Sequence, residues 1–273
     1  MELFSLKGKI IIITGASGLL GRQHAEAVAM AGGIPILLDL NQKELDEQAS
    51  SIIEKYGVLS HGYSVNITNE EAVSENCKLL IKLFGKIDGL VNNAANNPKV
   101  EDSKDKNFSR LEYFSSELWD KDLAVGLKGA FYCVKYYGHE ISKNINGGSI
   151  VNISSDLGLI SPDQRLYKVE GLNEEKQPVK PVTYSIIKTG LIGLTRYVAT
   201  YWGDKNVRCN AVCPGGVENN QDIKFVNELI KRIPMNRMAL KNEYQGILIF
   251  LLSNASSYVN GAIISADGGR TTW

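Results

Sequence analysis

Four isoleucines in a row, Ile10 to Ile13, run directly into the turn Thr14-Gly15-Ala16-Ser17-Gly18-Leu19-Leu20-Gly21. A strand with apolar side chains pointing both ways must be covered on both faces, as strands are inside a parallel sheet. Glycines at 15, 18 and 21 let the backbone turn sharply and approach a bound group. The helix that opens there offers unpaired N–H groups to an anion. Strand, glycine turn and helix together ask for an α/β sheet whose carboxyl edge holds a phosphate-bearing ligand.

The rest of the chain repeats the rhythm. A helix is expected from about Leu20 to Ala31, closed by Gly32-Gly33, then a strand at Ile34 to Leu38. A helix from Asn41 to Tyr56 precedes a strand near His61 to Val65, and a helix from Asn69 to Leu83 leads to a strand at Gly89 to Val91. Long helices near Trp119 to Ser142 and Tyr184 to Trp202 bracket a strand at Ser149 to Ile153, and further strands follow at Val207 to Val212 and Ala262 to Ala266. The expected fold is a doubly wound, parallel, seven-stranded sheet with helices on both faces, in three αβα layers. No repeat or internal linker interrupts it, so residues 1–273 are expected to form a single domain. Two polar stretches, 96–116 and 160–181, break the rhythm just after strand ends and are the expected substrate loops.

Composition excludes some classes of function. Thirty basic and thirty acidic residues cancel, which leaves no electrostatic footprint for nucleic acid. No apolar run reaches the length of a membrane span and Met1 to Lys9 lacks a signal-peptide core, so a soluble cytoplasmic protein is expected. The cysteines Cys77, Cys133, Cys209 and Cys213 lack metal-type spacing; they are expected to be buried free thiols, and no metal is expected.

Chemistry enters with Tyr184 and Lys188, four residues apart and therefore on one helical face. A lysine charge about 4 Å from a phenol is worth roughly 4 kcal/mol at an effective dielectric near 20. That is on the order of three pKa units, enough to turn a tyrosine into an acid/base near neutrality. Tyr-x-x-x-Lys also arises by chance on many helices. Its force here comes from order: glycine turn, then Asn92-Asn93-Ala94 after a strand, then Ser154-Ser155 after another, then Tyr184 and Lys188. Asp39, at the end of the second strand, can accept hydrogen bonds from an adenosine ribose and would repel a 2′-phosphate, although Arg22 stands just past the turn. NAD is expected, with NADP the less favoured cofactor.

Over nearly its whole length the chain resembles the short-chain dehydrogenase/reductase family. The resemblance rests on Thr14-Gly15 with Gly18 and Gly21, Asn92-Asn93-Ala94, Ser155, Tyr184-x-x-x-Lys188, Pro214-Gly215 and Asp267-Gly268-Gly269. It implies a Rossmann fold and a reaction between a secondary alcohol and a ketone. Ser155 would polarise the substrate oxygen, Tyr184 exchange its proton, and Lys188 hold the nicotinamide ribose. Cofactor contacts would come from Gly15, Ser17, Gly18, Leu20, Gly21, Asp39, Asn66, Ile67, Asn93, Ala94, Tyr184, Lys188, Pro214, Gly215, Val217 and Asn219. The resemblance also implies a homodimer or homotetramer, for which Phe131, Tyr132, Tyr136, Leu191, Leu194 and Tyr197 supply apolar surface. More narrowly, Ile233 to Met238 and the ending Asp267 to Trp273 are similar to a bacterial group of flagellin-modification proteins, which implies a sugar or sugar-phosphate substrate in glycan biosynthesis. Asn96 and Arg165 are the candidate substrate contacts, Arg165 for an anionic group.

Four positions depart from the family pattern. Leu19 replaces the middle glycine of the turn, Asn66 an adenine-binding aspartate, and Asn219 a threonine near the carboxamide. Gly126 replaces the asparagine that anchors a proton-relay water, a role left to a main-chain carbonyl at a local kink. Gly126 and the altered turn keep open a dinucleotide-binding scaffold or sensor without turnover, and the same fold also admits an epimerase or dehydratase that uses its cofactor transiently.

Overall fold

The computed structural model describes residues 2–96 and 109–273. Among these the strands form one parallel sheet of seven, in the order β3-β2-β1-β4-β5-β6-β7. They are β1 (Ile10–Thr14), β2 (Ile34–Asp39), β3 (His61–Ser64), β4 (Gly89–Asn92), β5 (Gly148–Ile153), β6 (Val207–Pro214) and β7 (Ile263–Ala266). The sheet grows outward in both directions from β1, so the chain reverses its direction of progress between β1 and β4, and a crevice opens at their carboxyl ends.

Alternation along β1 divides the core in two. Ile10 and Ile12 pack with Ile36, Leu38, Leu90 and Ile150 on one face; Ile11 and Ile13 pack with Leu37, Val91, Val151 and Val212 on the other. The first face is covered by α3 (Glu70–Phe84), through Val73, Cys77 and Leu80, and by α7 (Val182–Tyr201), through Val198 and Ala199. A helical rod made of α4 (Ser116–Leu123), α5 (Gly129–Cys133) and α6 (His139–Ile141) lies with them and adds Cys133, Val134, Tyr137 and Ile141. The second face is covered by α1 (Leu19–Met30), α2 (Gln42–Tyr56) and α9 (Gln245–Leu252). Sheet and helices thus make the expected three layers.

Local chemistry sets the helix ends. Asn41 and Asn69 cap α2 and α3 by accepting the N–H groups of Glu44 and Ala72, and Gly57 and Gly85 close those helices in the left-handed region. The rod differs from a plain helix: two π-helical segments, Ala124–Lys128 and Val134–Gly138, join its three parts. Two helices lie beyond the expected set. Both α8 (Ile223–Ile230) and α9 are short, and α9, almost continuously apolar, lacks the amphipathic period that marks a surface helix. Most of the expected loop 96–116 falls outside the described residues, and the stretch 160–181 contains only short 3₁₀ turns at Gln164–Tyr167 and Glu174–Lys176. Among the described residues no helix is long and apolar enough to cross a membrane.

Candidate active site

The glycine turn between β1 and α1 is built for close approach. Gly15 has φ of +63°, and a Cβ there would sit 2.8 Å from Ala94 Cα. A Cβ on Gly21 would lie 2.0 Å from the carbonyl oxygen of Gly15, so helix and turn meet at a distance that only glycine permits. Asn93 fastens this turn to the end of β4: its amide donates to the carbonyls of Thr14 and Gly15, each at 3.0 Å. The Thr14 hydroxyl in turn accepts the N–H groups of Asn93 and Ala94. Leu19, at the place of the missing middle glycine, lines the cleft.

A cavity of about 520 Å³ follows the carboxyl edge from Gly15, Ser17, Gly18 and Leu20 past Asp39 to Asn66, Ile67, Ala94 and Asn96. A dinucleotide fits the chemistry of this wall. α1 starts at Gly18 without a side-chain cap and without an acidic residue in its first turn, which leaves its N–H groups directed at the cleft. The buried hydroxyl of Ser17 has no hydrogen-bond partner among the described residues, as expected of a group that meets a ligand. Asp39 accepts the N–H groups of Ser17 at 2.9 Å and Leu40 at 2.8 Å, which fixes its carboxylate at the cleft rim. Arg22 is turned to the Ser17 carbonyl and to Glu44. Asn66 accepts from the backbone and hydroxyl of Thr68.

A second cavity, of about 400 Å³, shares Leu19, Leu20, Asn93 and Ala95 with the first, so the two form one cleft. Ser155, Tyr184, Lys188, Pro214, Gly215, Val217 and Asn219 all line it. β5 delivers Ser155, α7 delivers Tyr184 and Lys188, and the segment leaving β6 delivers the rest. Every site residue expected from the sequence therefore lines this cleft, with Gly21 and Arg165 as the exceptions. Gly21 shapes the turn from behind. Arg165 is corrected by its surroundings: its side chain is 77% exposed and grips Asp163 through two hydrogen bonds of 2.8 Å. A carboxylate two residues away satisfies the guanidinium before any substrate could, and Asp163 also receives Arg232 at 2.7 Å. Of the four cations in the 160–181 stretch, Arg165, Lys168, Lys176 and Lys180, the cavity wall includes Lys180 alone.

The electrostatics also correct the simple pairing of Tyr184 with Lys188. The Lys188 ammonium lies 5.7 Å from the centre of the Tyr184 ring and donates to the Ile153 carbonyl at 2.8 Å. Burial, and secondarily the nearby Lys180 charge, push its pKa down to about 8. Burial likewise pushes the Tyr184 phenol above its ordinary value; a hydrogen bond with Ser155 opposes this and the Asp156 charge adds to it. In this arrangement desolvation is the largest influence on the phenol.

Asp156 and Arg270, which sequence reasoning passed over, and Lys180, one of the cations of the 160–181 stretch, also line the wall. Asp156 accepts the Ser155 hydroxyl at 2.8 Å, and its other oxygen receives Arg270 at 2.6 Å. Both members of this ion pair are buried, at 3% and 8% exposure, so the charges are matched inside the protein. The pair orients the serine hydroxyl and ties the chain end to β5. Asp156 directly follows Ser155, and Arg270 directly follows Asp267-Gly268-Gly269; adjacency to those motifs was the available signal. Lys180 is the third: its ammonium stands 3.9 Å from the centre of the Tyr184 ring. Leu157, Leu166, Phe225, Leu229 and Met238 add apolar surface, and Ser154, Tyr167, Asn220 and Gln221 polar groups.

Comparison with known proteins places these features in context. A family model described as "short chain dehydrogenase" matches residues 9–167, and one described as "Enoyl-(Acyl carrier protein) reductase" matches residues 173–271. The chain is 31% identical to an NADP-dependent mannitol dehydrogenase of Hypocrea jecorina, over 100% of this chain and 96% of that one. It is 30% identical to the 2-dehydro-3-deoxy-D-gluconate 5-dehydrogenase of Dickeya dadantii, over 98% of both. A solved NAD+-bound xylitol dehydrogenase superposes with a TM-score of 0.81 at 28% identity, covering 97% of this chain and 99% of that one.

Proposed function

Because the chain belongs to the short-chain dehydrogenase/reductase family, an NAD(P)-binding oxidoreductase family acting on alcohol and ketone groups, we propose that its substrate is a polyhydroxylated, carbohydrate-like secondary alcohol or the matching ketone. The observation that carries this reading is the single cleft in which Ser155, Tyr184 and Lys188 line a cavity continuous with the glycine turn. One domain then serves both cofactor and substrate.

The residues divide the work as follows. The bound dinucleotide supplies the hydride acceptor for an alcohol, or the donor for a ketone. Ser155, held by Asp156, positions the substrate oxygen. Tyr184 takes the hydroxyl proton during oxidation and returns one during reduction. Lys188, held by the Ile153 carbonyl, would contact the nicotinamide ribose, and its positive charge would favour the phenolate. The π-helical turn around Gly126 supports the reading that a main-chain group there does the work of the missing asparagine side chain. Asp39, fixed at the rim by two backbone N–H groups, supports NAD over NADP. Four buried free thiols support a reducing compartment such as the cytoplasm. A role in bacterial glycan biosynthesis, of the flagellin-modification type, rests on the Ile233 to Met238 and Asp267 to Trp273 segments alone. A homodimer or homotetramer is proposed on the outward aromatic residues of α5 and α7.

The test is to follow reduced-nicotinamide absorbance with a panel of polyols, sugar acids and their ketones. Tyr184→Phe is expected to lower turnover by at least about a hundredfold while the dissociation constant for the dinucleotide changes little, because it removes only the acid/base group. Comparable turnover in Tyr184→Phe would sink the mechanism. Substrate conversion without net change in absorbance would favour an epimerase or dehydratase, and dinucleotide binding without any conversion would favour the scaffold.

A further inference from the structure

The stretch 160–181 has little regular structure, yet it is tied together as a unit. The Lys180 N–H donates to the Gln164 side chain at 2.9 Å and so brings its two ends together. Its middle closes around Gln177, a buried side chain that accepts the Val169 N–H at 2.8 Å and donates to the Val169 and Leu172 carbonyls at 3.0 and 2.7 Å. The 3₁₀ turn Gln164–Tyr167 is capped by Asp163, whose carboxylate also receives Arg232 at 2.7 Å, just past the end of α8. Leu166, buried, packs with Leu229, Ile233 and Met238, and the Tyr167 ring meets the Phe225 ring at 5.7 Å. The stretch and α8 therefore make one wall, and Tyr167 stands in it on a fixed support, positioned before a ligand arrives.

Tyr167 lines the same cavity as Ser155, Tyr184 and Arg270. Its phenol feels the groups at the site: burial pushes its pKa up to about 12, the Arg270 charge opposes this, and Tyr184 and Asp156 add to it. The hydroxyl nevertheless makes no hydrogen bond among the described residues. A tyrosine hydroxyl taken from bulk water ordinarily finds a partner. A phenylalanine would pack against Phe225 and Leu229 equally well, so packing does not account for the oxygen. A phenol hydroxyl both donates and accepts, which suits the hydroxyl of a polyol. We propose that Tyr167 is a specificity-determining residue of this cleft: its hydroxyl hydrogen-bonds a second hydroxyl of the substrate, close along the carbon chain to the carbon that reacts at Tyr184 and Ser155. The inference rests on the dehydrogenase reading of the cleft. It separates polyols from secondary alcohols that carry a single hydroxyl.

The test pairs a deletion in the protein with a deletion in the substrate. The full chain and its Tyr167→Phe variant are assayed with NAD and NADP on xylitol, mannitol and gluconate. The polyol oxidised fastest is then compared with its deoxy analogues, each lacking one hydroxyl near the reacting carbon. One analogue is expected to lose about tenfold in kcat/KM with the native protein. Tyr167→Phe is expected to lose about tenfold on the parent polyol, chiefly in KM with kcat within about threefold, and to lose nothing further on that analogue. Without turnover, the same three polyols are titrated calorimetrically into each protein with NADH bound; the tightest is expected to bind about tenfold more weakly to Tyr167→Phe. Dinucleotide affinity confirms that the variant is folded. A native protein that uses the parent and every analogue equally overturns the proposal. So does a Tyr167→Phe protein that loses the same factor on parent and analogues alike, which would make Tyr167 a packing or acid/base residue. Polyol binding that depends on Tyr167 in a protein that oxidises none of the three would keep the contact and remove the dehydrogenase reading. Neither oxidation nor binding of any of them would remove both.

Discussion

His24 is a buried titratable group that does not line the cleft. It lies on α1 at 1% exposure, and neither ring nitrogen has a hydrogen-bond partner among the described residues. Burial alone pushes its pKa down to about 4 from an ordinary 6.5. The folded-state value is therefore the lower one. Between pH 6.5 and 4 the unfolded chain binds a proton that the folded chain refuses, so stability falls as pH falls through that window. A gap of this size is worth about 3 kcal/mol by pH 4. His24→Leu is expected to lose correspondingly less stability than the native protein between pH 7 and pH 4. Urea midpoints at a series of pH values would show this, because the carboxylates common to both proteins cancel in the comparison. Parallel pH profiles would contradict the assignment.

At the scale of elements, the contact between the α4–α6 rod and α7 decides how the site is held. Asp122 on α4 accepts the Thr183 hydroxyl at 2.6 Å, one residue before Tyr184. A Cβ on Gly126 would meet Ile187 Cγ2 at 2.6 Å, and Ile187 sits on α7 between Tyr184 and Lys188. A β-branched methyl yields poorly, so overpacking there costs about 1–3 kcal/mol, against about 1 kcal/mol gained by replacing a helical glycine. Gly126→Ala is expected to lower both the melting temperature and kcat, read by calorimetry and steady-state kinetics; an unchanged kcat would separate the rod from the catalytic helix. The link between β2 and the glycine turn makes a second element-scale prediction. Asp39→Ala removes the carboxylate held by the Ser17 and Leu40 N–H groups, and should shift the ratio of NAD to NADP affinity toward NADP by relieving charge repulsion. Tighter binding of NADP than NAD by the unaltered protein, measured by fluorescence titration, would reverse the cofactor proposal.

For the whole molecule, the question is which apolar residues the fold consumes. Of the six aromatic and aliphatic residues expected to offer association surface, Leu191 is buried against Ala130 and Ile187, and Tyr132, Tyr136 and Leu194 pack onto the main core. Phe131 remains 50% exposed and Tyr197 64%, with Tyr201 stacked on Tyr197 at 5.6 Å. An outward aromatic group on two adjacent helices is a surface that a second copy can cover by two-fold symmetry. Sedimentation equilibrium at micromolar concentration is expected to give a dimer or tetramer, and the double substitution Phe131→Glu with Tyr197→Glu to shift it toward monomer. A native protein that sediments as a monomer would refute this.

The sequence alone determined the layered parallel sheet, because Ile10 to Ile13, the glycine turn and the alternation of apolar runs with amphipathic segments are local signals read directly from residue order. It also supplied the candidate catalytic set, since Ser155, Tyr184 and Lys188 stand in recognisable local contexts. What it could not supply was anything set by distance across the chain. Arg165 and Lys180 look alike as cations of one insertion, yet Asp163 captures the first and the backbone pinning at Gln164 and Ser109 turns the second onto Tyr184. Asp156 and Arg270 are 114 positions apart and meet only when the chain end folds back across β5. The phenol pKa likewise belongs to the folded state: its direction is set chiefly by burial, a property of the packed cavity that helical spacing does not reveal.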